Sequence, residues 1–248
     1  MTGGHETPEE AASSLERALR AVGTRDRAVH EKRYLKSDLD FLGASVGQIE
    51  RAVRTWTAEL PSPPGHDELL LLADALWRRP VHERRMAAVM LLERHVRLLT
   101  PADLCFVERL LRESRTWALV DGISTDVAGA ILAADPEGTR SVLDRWATDA
   151  DFWVRRASLL SELRPLRRGA PLEPFLRRAD AMLDEREFFI RKAIGWVLRE
   201  VGKRRPTEVV AWLEPRITRA SGVTVREAVK YLPDPDRERL LAGYRARR

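Results

Sequence analysis

A small residue that recurs at nearly constant spacing constrains the fold of this chain more than any other feature. The spacing is 35 or 36 residues, and the positions are Ala52, Ala87, Gly122, Ala157, Ala193 and Ala228. An arginine precedes four of them by two residues, at Arg85, Arg155, Arg191 and Arg226. A unit of this length holds two antiparallel helices and a turn, and it buries its apolar face only against a neighbouring unit. The spacing therefore predicts a stack of helical repeats.

The predicted class is all-α, since no alternating strand pattern of useful length is present. The repeat is closer in length to a tetratricopeptide repeat than to a HEAT repeat, but the tetratricopeptide signature is not visible, so a HEAT-like repeat is favoured. The 248 residues suit about six or seven antiparallel helix pairs. We expect a HEAT-like repeat α-solenoid with a concave inner surface, formed as a single domain by residues 9–248 after a disordered tail at residues 1–8.

Prolines and capping residues predict where the helices begin and end. Thr7 and Pro8 are the residue types that suit a helix N-cap and the first helical position. The run Pro61-Ser-Pro-Pro-Gly65 predicts a loop, because proline cannot continue a helix and glycine permits a turn. The helices after the first are predicted over 26–37, 45–60, 66–78, 81–98, 101–113, 115–133, 136–147, 151–164, 172–183, 186–203, 206–218, 222–231 and 234–246.

Composition and charge narrow the function classes. A net charge of +5 and a pI near 9.8 permit an anionic partner such as nucleic acid. Cys105 is the only cysteine, which excludes a disulfide framework and a thiolate metal cluster, and the five histidines show no metal-ligand spacing. Charged residues interrupt every apolar stretch before about 18 residues, and no basic-then-apolar leader is present. We expect a cytoplasmic protein without membrane contact, metal or cofactor.

The repeat frame predicts which side chains share a surface. Residues four apart lie on one helix face, so the positions five before, one before and three after each small residue form a stripe. In the last four repeats the stripes are Trp117, Asp121 and Thr125; Phe152, Arg156 and Leu160; Phe188, Lys192 and Trp196; and Val223, Glu227 and Tyr231. Because repeats stack, we expect these stripes to lie side by side along one wall.

Each of these residues has a structural interpretation beside a functional one. Phe152 and Phe188 are interpreted as core packing, the usual role of aromatic residues at helical spacing. Trp117 and Trp196 share their stripes with charged residues that an apolar core would reject, which favours a functional surface. Asp121 is equally well explained by a structural salt bridge to Arg156. The residues alone do not name a reaction.

Four segments resemble the AlkD-type DNA glycosylases, which are HEAT-like repeat enzymes of alkylation repair. The most specific is Phe188-Phe-Ile-Arg-Lys-Ala-Ile-Gly-Trp-Val-Leu-Arg-Glu200. The others are Trp153-Val-Arg-Arg-Ala157, Trp117-Ala-Leu-Val-Asp121, and Arg33-Tyr34-Leu-Lys36 together with Phe41-Leu-Gly43. The resemblance runs from about residue 30 to about residue 230 and is weaker from 60 to 110.

This resemblance implies a monomeric, monofunctional 3-methyladenine/7-methylguanine-type glycosylase that excises cationic N3- and N7-alkylpurines from double-stranded DNA. It implies a concave DNA-binding face, no base flipping and a cytoplasmic, nucleoid-associated location. A base that is not enclosed in a pocket also permits bulky adducts, and whether methylpurines or bulky adducts are the natural substrate stays open. The residues that it assigns to catalysis are Asp121, Trp117 and Trp196. Those that it assigns to DNA binding are Arg156, Lys192, Tyr34, Lys36 and Arg199. Thr116 and Ala118 depart from the bulkier or acidic residues expected beside the catalytic carboxylate.

The chemistry of the lesion explains these residue types. An N3- or N7-alkylated purine is already cationic, so it leaves without being protonated, and only the developing oxocarbenium ion of the sugar needs stabilisation. A carboxylate supplies it, and indole faces attract the cationic base. A Schiff base from Lys192 is a weaker alternative. Three interpretations stay open: this glycosylase, a noncatalytic HEAT-like DNA-binding protein whose Asp121 is structural, and a protein-interaction scaffold.

Overall fold

The computed structural model describes residues 7–60 and 62–246, and these residues are mostly helical. The helices are α1 (Pro8–Val22), α2 (Arg25–Leu35), α3 (Val46–Ala58), α4 (His66–Arg78), α5 (His82–Arg94), α6 (Leu104–Glu113), α7 (Trp117–Gly122), α8 (Gly129–Ala134), α9 (Pro136–Trp146), α10 (Phe152–Leu160), α11 (Leu163–Arg167), α12 (Glu173–Ala181), α13 (Phe188–Gly202), α14 (Pro206–Leu213), α15 (Gly222–Ala228) and α16 (Asp234–Ala246). The described residues form no β-strand, and Asp40 and Val81 make an isolated bridge. The all-α prediction is confirmed.

The chain divides into two compact units, Met1–Ile123 and Ser124–Arg248. The prediction of a single domain over residues 9–248 stays a prediction. Most of the predicted tail, residues 1–6, lies outside the described residues, and so does Pro61. Thr7 caps α1 as predicted, because its side chain accepts a hydrogen bond from the backbone of Glu10 while the Glu10 carboxylate accepts from the backbone of Thr7.

Two predicted helices are interrupted. The helix predicted over 115–133 begins at Trp117, and a π-helical segment, Ile123–Ala128, separates α7 from α8. The helix predicted over 151–164 divides into α10 and α11, since Pro165 has no backbone N–H to continue the hydrogen-bond ladder. Among the described residues, the helical run Trp117–Ala134 is the one long and apolar enough to cross a membrane, and its 56% burial is also typical of a core helix in a soluble protein.

In the first unit, α1 packs on α3 and α4, and a buried arginine lies in this core. The side chain of Arg84 is fully buried. It donates to Glu16 Oε2 at 2.7 Å and to the carbonyl oxygens of Ala75 and Leu76 at 2.6 and 3.2 Å. A buried charge is tolerated only when it is paired and hydrogen-bonded. Burial acts to raise the pKa of Glu16, but ion pairs with Arg84, Arg20 and Arg79 lower it to about 2.

We expect Glu16→Ala to lower the free energy of unfolding by about 3–5 kcal/mol, because it leaves the Arg84 charge buried without its carboxylate. The pKa of Glu16 is depressed in the folded protein, so its contribution is present above the unfolded value of 4.5 and is lost as pH falls towards 2. Denaturant unfolding at pH 7 and at lower pH values measures both effects. Glu173→Ala is the control, since its exposed pair with Arg177 contributes about 1 kcal/mol or less. Equal losses in the two variants would contradict the assignment.

In the second unit, α13 is the central helix and packs on α10 and α15. The recurring small residue on α13, Ala193, is fully buried, as are Ala157 on α10 and Ala228 on α15. A Cβ on Gly195 would lie 2.7 Å from the Cβ of Glu227 and 2.8 Å from the carbonyl oxygen of Thr224. Gly195 therefore permits α15 to approach α13 more closely than any larger residue would.

Side-chain contacts recur one repeat apart within each unit. In the second unit Lys192 pairs with Glu227, and Arg219 pairs with Asp184, both over 35 residues. In the first unit Arg109 pairs with Asp74 over 35 residues. Three of the four recurring arginines are structural, since Arg85 donates to the Trp77 and Glu113 carbonyl oxygens, Arg155 to those of Asp149 and Ala150, and Arg191 to that of Glu185. These contacts confirm the repeat.

Candidate active site

The predicted catalytic carboxylate lies on α7, one helical turn after Trp117. Thr116 caps this helix by accepting a hydrogen bond from the backbone of Ala118 at 3.4 Å. Trp117 and Asp121 share one face because they are four residues apart, and each is half-buried. The π-helical segment begins one residue beyond Gly122, and π-segments inside helices are frequent at functional sites.

Residues at the end of α2 and in the α2–α3 connection contact the residues at and just before the start of α7. The rings of Tyr34 and Trp117 meet edge to face with centroids 5.9 Å apart. Arg115, two residues before Trp117, donates to Asp38 Oδ2 at 2.8 Å. The backbone of Arg115 is in the left-handed region, with φ 54°, and so is that of Lys36 at the end of α2, with φ 48°. Two side-chain contacts thus join two turns that take a sparsely populated backbone conformation.

A buried carboxylate holds the loop that follows α2. Glu83 accepts hydrogen bonds from the backbone N–H groups of Leu42, Gly43 and Ala44 at 2.9, 2.6 and 3.2 Å. Burial raises the pKa of Glu83 in spite of these bonds. Gly43 has φ +82°, and a Cβ there would lie 2.0 Å from the Thr24 carbonyl oxygen, so this turn requires glycine. The loop therefore has a defined position beside α2.

Helix α2 buries none of its residues and carries an excess of cations. Its exposed positions include Arg25, Lys32 and Arg33, and the exposed Lys36 follows. Tyr34 is 64% exposed. A helix that buries nothing contributes little to folding, whereas a basic, exposed helix presents its side chains to an anionic partner.

In the second unit, Arg156 lies on an aromatic cluster formed by Phe152, Trp153, Phe188 and Phe189. Arg156 Nη1 donates to the carbonyl oxygen of Phe189 at 2.5 Å. Its guanidinium carbon lies 5.7 Å from the centroid of the Phe189 ring and 6.0 Å from that of the Trp196 ring, within the range of cation–π attraction. The side chain is almost fully buried, with 3% exposure. Arg156 and Trp196, carried by neighbouring repeats, are thus in contact as the stripes predicted.

The interpretation of Phe188 as core packing is wrong. Phe188 is the first residue of α13 and is 53% exposed, because its side chain projects where the helix begins. The sequence analysis missed Phe189, whose ring centroid lies 4.7 Å from that of Trp153. The adjacent residues Phe188 and Phe189 indicated that one of them packs inside, but the helical spacing of the stripe pointed to Phe188 instead of Phe189. Phe152 packs against the buried core as predicted.

Lys192 and Arg199, both predicted to bind DNA, share one carboxylate. Lys192 Nζ donates to Glu227 Oε1 at 2.5 Å, and Arg199 Nη1 donates to Glu227 Oε2 at 2.5 Å. Partial burial acts to raise the pKa of Glu227, but the two cations hold it below its usual value. Glu227 was recognised only as a member of its stripe, and its pairing with two cations follows from the packing of α15 on α13.

The structure brings the predicted residues together within each unit. Tyr34 contacts Trp117 in the first unit, and Arg156 contacts Trp196 in the second. The predicted salt bridge between Asp121 and Arg156 stays a prediction. Across the described residues, no three His, Cys, Asp or Glu side chains are placed to hold a metal ion.

Residues 15–232 match a family model described as DNA alkylation repair enzyme. A predicted DNA alkylation repair enzyme from Enterococcus faecalis is similar in structure, with a TM-score of 0.76, 22% identity, and coverage of 86% of this chain and 97% of that one. AlkD2 from Streptococcus mutans is also similar in structure, with a TM-score of 0.65, 16% identity, and coverage of 91% of this chain and 99% of that one. At these identities the two structures establish the helical-repeat fold. No curated protein matches the sequence significantly.

Proposed function

Because this chain belongs to the DNA alkylation repair enzyme family, we propose that it is a monofunctional DNA glycosylase. Its substrates are cationic N3- and N7-alkylpurines of the 3-methyladenine and 7-methylguanine type in double-stranded DNA. It hydrolyses the N-glycosidic bond and leaves an abasic site. It acts as a monomer in the cytoplasm, associated with the nucleoid, and it takes bulky adducts as well as methyl groups.

The observation that carries this proposal is the placement of Trp117 and Asp121 on one face of α7, both half-buried. The Asp121 carboxylate stabilises positive charge as it develops at C1′ and orients the attacking water. The indole of Trp117 faces the cationic purine, and such a cation–π contact contributes about 0.5–2 kcal/mol of attraction. Trp196 contributes a second indole. No side chain has to protonate the departing base, because alkylation has already made it cationic.

Each unit offers cations to the DNA backbone. Lys36 and Tyr34 extend from the exposed end of α2, and Tyr34 supports the Trp117 ring from its edge. Lys192 and Arg199, which are partly exposed, contact phosphates and position the duplex without reading its sequence. Arg156, which is almost fully buried, joins them by moving its guanidinium away from the Phe189 carbonyl oxygen. Tyr34, which contacts Trp117, is 64% exposed, and we propose that the face of Trp117 beside it is open to DNA. An open face suits a base that stays in the duplex rather than one flipped into a closed pocket.

The ion pair of Lys192 supports hydrolysis without lyase activity. A Schiff base requires a neutral amine with a free lone pair. Lys192 Nζ donates to the Glu227 carboxylate at 2.5 Å, so its nitrogen is engaged in an ion pair. The abasic site is therefore left uncleaved in the DNA strand.

We expect Arg156→Ala to weaken duplex binding and to reduce the slope of log affinity against log salt by about 1, because a phosphate contact releases counterions. Binding titrations at several salt concentrations measure the slope. Arg177→Ala is the matched control, since Arg177 is an exposed arginine that pairs with Glu173 on its own helix. An unchanged slope with slower excision would assign Arg156 to orienting Trp196 instead.

The proposed function is tested by incubating the purified chain with a duplex that contains 7-methylguanine and measuring the free base. Release of 7-methylguanine supports the glycosylase. Duplex binding without release would identify a noncatalytic DNA-binding protein. Absence of both binding and release would leave the protein-interaction scaffold.

A further inference from the structure

Glu227 lies between two cations that the proposed function places on DNA. Lys192 and Arg199 are seven residues apart on α13, about two turns, so they project from the same face. The carboxylate of Glu227, from α15, accepts from both at 2.5 Å. The Lys192 side chain is 40% exposed and that of Arg199 is 21% exposed, so solvent reaches both cations. The group of three carries one positive charge instead of two.

The position of Glu227 is defined by the close approach of two helices. Gly195 lies between Lys192 and Arg199 in the sequence, and the missing Cβ of Gly195 leaves room for the Cβ of Glu227. The lowered pKa of Glu227 keeps its carboxylate charged at neutral pH. A charged carboxylate therefore holds the place beside these two cations in which a phosphate group would otherwise bind.

The hydrogen bonds of Arg199 are incomplete in this arrangement. Its Nε is buried and has no hydrogen-bond partner within the described part of the chain. The nearest carboxylate oxygen, Glu200 Oε1, is 3.7 Å away, beyond hydrogen-bond distance. An unsatisfied buried donor costs free energy, so the ion pair with Glu227 does not satisfy every donor of Arg199. A phosphate diester offers two anionic oxygens, which can replace the Glu227 carboxylate on the exposed parts of the two cations.

We propose that Glu227 is a positioning residue that competes with DNA phosphates for Lys192 and Arg199, and so weakens binding to undamaged duplex. This inference rests on the proposed function. Non-specific binding comes almost entirely from phosphate neutralisation, with a salt slope of about 0.9 per contact. At about 0.15 M salt, that slope makes one phosphate contact equivalent to about fivefold in affinity.

The consequence is weaker binding to every duplex, undamaged DNA included. Undamaged DNA offers the protein only its backbone, whereas a cationic purine adds contacts with the carboxylate and indoles of the site. A carboxylate that competes with phosphates lowers affinity for every duplex, but it leaves the contacts specific to the lesion unchanged. Glu227 thereby reduces the time that the protein spends on undamaged DNA.

The test compares wild type, Glu227→Gln and Glu208→Gln on an undamaged duplex at several salt concentrations. Glutamine keeps the size of Glu227 and removes its charge. We expect about fivefold to thirtyfold tighter binding at about 0.15 M salt and a slope steeper by about 1–2, for one or two new contacts. Glu208→Gln removes the same charge from an exposed pair with Arg205 on the same helix turn, and its slope should match wild type.

Three outcomes overturn the inference. A Glu227→Gln slope equal to that of Glu208→Gln means that Glu227 does not restrain the cations. Weaker binding by Glu227→Gln means that Glu227 presents the cations to DNA instead of competing for them. A wild type without salt-dependent duplex binding removes the proposed function itself, and the inference with it. Glu227→Asp, which retains the charge, should keep a wild-type slope, and this separates competition from a change in folding.

Discussion

Asp121→Asn is expected to slow base excision by about a hundredfold or more while duplex binding survives. Asparagine has the size of aspartate but no charge, so the oxocarbenium ion loses the anion that stabilises it in the transition state. Ground-state contacts with the DNA backbone are unaffected, since the proposed phosphate contacts come from other residues. The loss therefore falls on the chemical step and not on affinity.

Single-turnover release of 7-methylguanine, with enzyme in excess, measures the chemical step directly. Asp67→Asn is the matched control, because it makes the same substitution at a carboxylate that is 95% exposed on α4. A wild-type rate in Asp121→Asn would remove the catalytic assignment and leave the structural interpretation of this carboxylate. A large loss of binding in the same variant would point to a folding defect, which a thermal melt would detect.

The second large effect concerns the charge of the substrate base. Neutral bases such as uracil and hypoxanthine are expected to stay bound to their sugars, whereas cationic 7-methylguanine is released. The reason is that the proposed site lacks an acid for the departing base, so activation of the leaving group has to come from the lesion itself. The indoles of Trp117 and Trp196 add to this preference, because aromatic faces attract cations.

Duplexes that carry uracil, 7-methylguanine or a bulky cationic N3-adenine adduct, compared under single-turnover conditions, measure this preference. Release of the bulky adduct at a rate similar to that of 7-methylguanine is the expected result for an open site. Efficient uracil release would contradict the dependence on charge. Failure on the bulky adduct alone would indicate a closed pocket and would leave the dependence on charge intact.

The sequence by itself determined the repeat and much of the local structure. Ala157, Ala193 and Ala228 are buried as the spacing predicted, because stacked repeats press the same position of each helix against a neighbour. The cap at Thr7 follows from local chemistry, since a threonine followed by proline and glutamate satisfies the first backbone N–H groups of a helix. Trp117 and Asp121 lie on one face because they are four residues apart in a helix, about one turn.

The sequence also predicted that equivalent positions of neighbouring repeats meet. Lys192 and Glu227 do so, and Arg156 and Trp196, which hold different positions in neighbouring stripes, also meet. The period alone carries this information, because each helix pair packs on the next with nearly the same geometry. The assignment of DNA-binding and catalytic roles came from the resemblance of particular segments, and those roles stay proposals.

Only the tertiary structure decided which partner each charged group takes and which aromatic residue lies inside. The sequence offers 43 basic and 38 acidic side chains, and local spacing cannot choose among them. Glu227 reaches Lys192 and Arg199 because Gly195 permits close helix approach. Phe188 is exposed while Phe189 packs against Trp153, because consecutive residues of a helix project in different directions. Such choices depend on contacts between residues distant in sequence, and these contacts exist only after the chain has packed.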